Sequence, residues 1–375
     1  MGFELSVENA VPYLVDRGVL TPADGRDAVA EFLGGGVSNI VIKVDVDGAG
    51  DRGLVLKQSL PQLRVEDDWF ADRKRIHRER AGIDYLGGNN YPAGQHEDAG
   101  GSRGMWSVPR VVDEDRENFV FVMTAAPRDG ANWKEQLLGG QIDVAVAERV
   151  GSMLGEIHGS SMVVGADVPD GLAEFEDLAY FVQLRIDPYH RATALAHPEL
   201  ADVLESEAAR MLPGVEDRRA LVHGDFSPKN IIVSGQGNAA EVFLLDFEVV
   251  HLGNPVFDLA FMLNHMTLKA IHRPEWAERY CRAARGFWNA YLSSVGGQAG
   301  DEETLERDTG RQLGALLLAR IDGKSPAEYI TLDEEKRYAR ETARALLMGK
   351  VVSLADLHDR LTDVSVRGRG STGSP

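Results

Sequence analysis

Residues Leu221–Phe261 read LVHGDFSPKNIIVSGQGNAAEVFLLDFEVVHLGNPVFDLAF, and this stretch decides the fold. It holds His223-Gly224-Asp225, then Asn230, then Asp246-Phe247-Glu248. Asn230-Ile-Ile-Val and Glu241-Val-Phe-Leu-Leu-Asp are short apolar runs, with the turn signal Ser-Gly-Gln-Gly-Asn between them. The pattern predicts a β-hairpin. A hairpin brings its outer ends together. Asn230 at the start of the first strand and Asp246 at the close of the second are therefore expected to meet, with Asp225 in the loop just before.

These are the residue types that phosphoryl transfer from a nucleotide requires. A carboxylate must orient the attacking hydroxyl and take its proton, and hard oxygen ligands must hold magnesium on the phosphates. Asp225 suits the first task; Asn230 and Asp246 suit the second. Taken singly, His-Gly-Asp is an ordinary turn in which the aspartate caps its own backbone, and Asp-Phe is an ordinary strand end. Their joint occurrence, in order and joined by a hairpin, favours the chemical reading. The block resembles the catalytic segment of the aminoglycoside phosphotransferase and choline kinase family. By that resemblance His223 is structural, and Asp258 in Gly253-Asn-Pro-Val-Phe-Asp258 is a buried aspartate that braces the catalytic loop; as a helix-entry residue it reads equally as an N-terminal cap.

The front of the chain carries the parts that such a site needs beside it. Phe32-Leu-Gly34-Gly35-Gly36-Val-Ser38-Asn39 is a glycine cluster leading into a strand. Gly34, Gly35, Gly36 and Ser38 are the candidate phosphate cradle, since glycine lets backbone amides approach phosphate oxygens. Three consecutive glycines are also a common flexible turn. Lys57 ends the apolar strand Gly53-Leu-Val-Leu-Lys57, where a charge would ordinarily face water. By the resemblance Lys57 holds the α/β phosphates and pairs with a glutamate from the helix expected over 69–86. Glu79 is the expected partner and Glu66 the alternative. Arg73, Lys74, Arg75, Arg78 and Arg80 read as the solvated face of that helix. Phe119-Val-Phe-Val-Met123-Thr124-Ala125-Ala126 reads as a buried strand running into a connector. In the family this is the hinge that bonds the adenine edge, making Met123, Thr124, Ala125 and Ala126 the candidates.

Lys57-Gln-Ser-Leu-Pro-Gln-Leu-Arg64 and Arg75-Ile-His-Arg-Glu79 are also similar to the corresponding segment of methylthioribose kinases. Those kinases carry an adjacent arginine pair near the C-terminus. Here Arg337, Arg340 and Arg344 are separated, which leaves the acceptor open among aminoglycosides, sugars and amino alcohols. Ser227 stands where protein kinases place a lysine, and no Ala-Pro-Glu segment follows Asp246.

Composition sets the bounds. The 375 residues are 43% hydrophobic and 26% charged, as in ordinary globular proteins. The net charge of −19 argues against non-specific nucleic-acid binding and mildly suits a cationic substrate. No run reaches the length of a membrane span, and the start of the sequence lacks a signal-peptide pattern, although Met-Gly with Ser6 meets a loose myristoylation motif. With the single Cys281, a reducing cytoplasm is the expected setting. Oligomeric state is left open.

The expected architecture is α+β, a protein-kinase-like bilobal fold with a small β-rich N-lobe and a larger, mostly helical C-lobe. Residues 1–125 form the N-lobe, opening with a helical prelude to about residue 30. Residues 126–363 form the C-lobe, with helices expected at 142–158 and through 172–212, 256–294 and 302–359. Residues 364–375 read as a disordered tail. Arg320, Asp322 and Lys324 are a candidate acceptor rim, or simply a basic helix end and turn. The resemblance implies an ATP-dependent enzyme, with GTP left open, that uses Mg2+ to move a γ-phosphate to a small-molecule hydroxyl. The alternatives are a nucleotide-binding pseudokinase or a protein kinase; the presence of Lys57, Asp225, Asn230 and Asp246 together disfavours the first.

Overall fold

A computed structural model describes residues 3–34, 38–46, 53–63, 71–87, 106–214 and 217–363. Gly35, Gly36, Arg64, Glu66, the loop-rich segment 88–105 and the tail 364–375 lie outside the described residues. The chain forms two compact units: Met1–Gly130 with Phe243–Val250, and Ala131–Val242 with His251–Pro375.

In the first unit, helix α1 (Val7–Asp16) begins where the Asn9 side chain accepts from the Ser6 amide at 2.8 Å. Strands β1 (Ala28–Phe32), β2 (Asn39–Val46), β3 (Gly53–Ser59), β4 (Val111–Asp115) and β5 (Val120–Thr124) form an antiparallel sheet in the order β1-β2-β3-β5-β4. The helical prelude thus ends earlier than expected: Ala28–Phe32 pairs with β2 as an edge strand. Alternating burial along β2 sends Ile40, Ile42, Val44 and Val46 onto the apolar face of α1, where Ala10 and Leu14 meet Leu56 and Val122. Burying each large aliphatic side chain of this kind contributes about 1.5–3 kcal/mol.

Helix α2 spans Arg75–Gly87 and starts later than the expected 69, because Ala71–Lys74 are not helical. Its arginines are not one solvated face. Lys74 is exposed, but Arg75 and Arg78 are buried. At Gly82 a Cβ would come within 2.8 Å of Val250 Cγ1 and 3.2 Å of Phe247 Cβ, so the absence of a side chain lets the helix lie on the Phe243–Val250 segment.

The second unit is mainly helical. Helices α3 (Val144–Ser160), α4 (Val256–His272), α5 (Ala277–Val295), α6 (Glu302–Asp322), α7 (Asp333–Leu347) and α8 (Leu354–Thr362) fall where helix was expected. Segment 172–212 is more broken, with short helical turns and a π-helical stretch at Val182–Arg191. Helix α3 packs on α5 through glycine: a Cβ at Gly151 would sit 2.1 Å from the Phe287 carbonyl oxygen. Strands β6 (Arg218–Val222), β7 (Ile231–Ser234) and β9 (His251–Gly253) flank the loop of interest, and β9 pairs antiparallel with β6. Strand β8 (Glu241–Leu244) neighbours β7, giving the expected hairpin. It is shorter than expected: Asn230 ends a 3-10 turn before β7, and Asp246 lies beyond β8.

Candidate active site

Two polar clusters carry the candidate chemistry, one in each unit. In the first unit Lys57 projects from the middle of the sheet, opposite Val41 and Phe121. It is buried, not solvated. Its Nζ donates to Glu79 Oε1 at 2.6 Å and to Asp246 Oδ1 at 2.9 Å. Burial alone would lower the pKa of this ammonium. The carboxylates of Asp246, Glu79 and Glu248 outweigh that effect and raise its pKa above the usual lysine value. Burial raises the pKa of Glu79, with Lys57 opposing the shift. Asp246 sits at φ 72°, a left-handed conformation that aspartate tolerates better than most residues.

Glu248 forms the second knot of this cluster. It accepts from Ser38 Oγ at 2.9 Å, Asn39 Nδ2 at 3.1 Å and Arg75 Nε at 3.2 Å. Arg75 is wholly buried and also donates to the carbonyls of Ser38, Leu60, Ala71 and Asp72. Ser38, expected at the phosphate cradle, thus has its hydroxyl engaged by Glu248; Gly34 is exposed, and among the described residues nothing lies within 4 Å of where its Cβ would be. At the expected hinge, Met123 and Thr124 close β5, the Thr124 amide donates to the Arg110 carbonyl, and the Ala125 amide donates to the Gly53 carbonyl. Among the described residues the Ala126 amide has no partner.

In the second unit Asp225 is buried, and its Oδ2 faces Lys229 Nζ at 2.8 Å and Arg185 Nη2 at 3.1 Å. Arg185 comes from the π-helical stretch and also donates to the Gly224 and Leu184 carbonyls, both at 2.7 Å. Asn230 Nδ2 donates to the Asp225 carbonyl at 2.9 Å, which leaves its oxygen as an acceptor. Below the loop, Asp258 is fully buried and accepts from the His223 amide at 2.6 Å and the Gly224 amide at 2.9 Å. Gly224 holds the turn at φ 75°. His158 lies 3.3 Å from Asp258 and 3.2 Å from the Tyr291 hydroxyl, so the close α3–α5 packing fixes the brace that fixes the loop. His223 Nδ1 accepts from the Asp225 amide at 3.2 Å, a loop-forming bond.

No motif in the sequence marks Arg185, Lys229, Arg75 or Glu248 as part of these clusters. Lys229 stands close to one, four residues after Asp225 in the same loop. Arg185 lies 40 residues away in a segment with no motif. Asp322, from the expected rim, is turned to Arg340 (2.6 Å) and His197 (2.8 Å), and Lys324 is exposed, whereas Arg320 is buried.

The profile of the phosphotransferase enzyme family matches residues 29–294. The chain belongs to that family. Among solved structures, a Ralstonia eutropha protein assigned as an aminoglycoside phosphotransferase matches at TM-score 0.51 and 14% identity, covering 92% of this chain and 98% of its own. The amicoumacin kinase hAmiN, solved with AMP-PNP, Ca2+ and Ami, matches at TM-score 0.51 and 14% identity over 93% and 96%. A choline/ethanolamine kinase family protein from Mesorhizobium loti matches at TM-score 0.48 and 16% identity over 95% and 98%. The first two likenesses establish the protein-kinase-like α+β fold. A search of curated proteins finds no significant sequence match. The enzyme is a phosphotransferase of the small-molecule kinase kind.

Among the described residues no three His, Cys, Asp or Glu side chains gather as a self-sufficient metal site. Magnesium on a nucleotide does not need one, since phosphate oxygens and water supply most ligands. The acceptor oxygen of Asn230 and the carboxylate of Asp246 suit that hard cation. Among the described residues no helix is long and apolar enough to cross a membrane.

Proposed function

We propose that the protein uses magnesium to transfer the γ-phosphate of ATP to a hydroxyl of a small molecule. The observation that carries the reading is the Lys57–Glu79 pair, buried at 2.6 Å with Asp246 on the same ammonium. This is the lysine–glutamate arrangement that phosphoryl transfer uses to hold α/β phosphates. Asn230 and Asp246 would hold magnesium, which supplies charge neutralisation at the phosphates. The Ala126 amide is the unengaged hinge donor for the adenine edge.

Asp225 would orient the acceptor hydroxyl and take its proton as the oxygen bonds to the γ-phosphorus and the bond to the departing ADP breaks. Lys229 and Arg185 hold the carboxylate in place, and positioning with fixed charge supplies most of such a rate. Cytoplasmic location and use of ATP rather than GTP belong to this proposal.

The test is Mg-ATP turnover across a panel of alcohol acceptors, with Asp225→Asn as control. Turnover should fall by about 10³-fold or more in the variant while nucleotide affinity persists. Full turnover in Asp225→Asn would remove Asp225 from the reaction, and absence of nucleotide binding to the wild type would end the reading.

A further inference from the structure

Beside the Asp225 loop, still within the second unit, lies a group of cations that the proposed chemistry does not use. Asn132 Nδ2 donates to the Lys229 carbonyl at 2.7 Å, and two residues on, Lys134 pairs with Glu328. The next residue, Tyr329, has its ring centroid 5.4 Å from Lys269 Nζ. The same loop is closed by Arg320, which donates to the Ser325 hydroxyl at 2.7 Å and accepts the Ala327 amide on its carbonyl at 2.8 Å. Lys269 from α4, Arg320 from α6 and Tyr329 from the segment after α6 thus gather on the side of Lys134.

The group is short of acceptors. Lys269 is fully buried, and its Nζ has only the His265 carbonyl at a long 3.4 Å. Among the described residues neither Lys269 nor Arg320 makes an ion pair with a carboxylate. Arg320 Nε and the Tyr329 hydroxyl are both buried without a hydrogen-bond partner. Burial, then the charges of Lys134 and Arg320, push the Lys269 pKa down to about 7, with only Glu328 opposing. His265 feels Lys269, Arg320, Lys229 and Lys134 together and is driven down as well, by burial first. Buried donors and unpaired cations are costly unless something accepts from them. Tyr189 lies toward the Asp225 loop: its ring centroid is 5.8 Å from Arg185, which stands 3.1 Å from Asp225.

We propose that the acceptor is an anionic hydroxy compound, whose carboxylate or phosphate group is received by Lys269, Arg320 and Tyr329. An anion takes charge-assisted hydrogen bonds from all three and restores charge to Lys269. The polycationic aminoglycosides are the wrong sign for this cluster of cations, whatever the net charge of the whole chain. The proposal rests on the kinase reading for the word acceptor, but not for the binding of an anion.

The experiment is calorimetric binding and Mg-ATP turnover with glycerate, gluconate and glycerol 3-phosphate, compared with glycerol, glucose and kanamycin. An anionic compound should be preferred over its neutral counterpart by about tenfold or more. Lys269→Met and Arg320→Gln should each erase most of that preference while ATP affinity is kept. Arg320→Lys, which keeps the charge and loses the fork, should retain part of it and guards against a misfolded variant. Preference for glycerol, glucose or kanamycin, no binding of any anion, or a preference that survives both variants would overturn the proposal. So would variants that weaken only ATP, because the cluster would then serve the nucleotide. Anion binding that depends on Lys269 without any turnover would sink the kinase reading and leave the anion site standing.

Discussion

Lys57 and Lys269 are both buried lysines, one in each unit, in opposite surroundings. Lys57 has two carboxylates within 2.9 Å and a third acting at longer range, and it is held charged. Lys269 has other cations around it and is half-way to losing its proton near neutral pH. The difference shows that burial does not set the state of a lysine by itself; the balance of neighbouring charge does. The first ammonium is a finished part of the fold. The second is a standing cost of the kind that an anionic partner would relieve.

Lys57→Met leaves Glu79 and Asp246 without their cation, so stability should fall by about 3–5 kcal/mol in denaturant unfolding. Mg-ATP turnover should fall by about 10²–10³-fold. Unaltered stability would mean that water already relieves the two carboxylates.

Lys269→Met should have the opposite sign. In the folded protein its pKa of about 7 lies below the unfolded value near 10.4. Below about pH 7 both states hold the proton and the folded state carries the full penalty. Between about 7 and 10.4 the unfolded chain binds the extra proton, so stability rises with pH, and above that range the penalty is gone. The variant should therefore gain about 1–4 kcal/mol at pH 7, and the gain should shrink steadily toward pH 10. A loss of stability at pH 7 would show that Lys269 is compensated as fully as Lys57.

Arg282 is mostly exposed and lies 3.8 Å from Glu278 on the next helical turn. Arg282→Ala should change the unfolding free energy by less than about 0.5 kcal/mol.

The parts of the site that were legible in the sequence are those carried by local pattern. Asp225 and Asn230 share one loop, Lys57 ends an apolar run, and the hairpin announces itself through its turn residues. Glu79 was legible only through the family resemblance, which implies a helix glutamate beside the strand lysine. The groups that hold these residues in place were not. Arg75 reads as one of five basic side chains on a helix, and only the three-dimensional placement of Glu248, 173 residues later, makes it the buried one. Arg185 reaches Asp225 from a π-helical turn that no periodicity flags. Tertiary pairing overrides the expectation that a charge-rich helix face meets water. Ala28–Phe32 failed for a related reason: a short edge strand has only one neighbour to stabilise it, and its sequence is nearly neutral between states.

The unit that contains Lys57 is completed by Phe243–Val250, roughly 120 residues after the rest of it has been made. A nascent chain paused at Gly130 has Arg75 without Glu248 and Lys57 without Asp246. At ~5–20 residues per second, on the order of ten seconds of synthesis separate the two pieces. The first third of this protein is therefore a client, for that interval, of whatever shields unfinished chains on the ribosome, and truncation before Asp246 removes the Asp246 and Glu248 carboxylates that Lys57 and Arg75 meet.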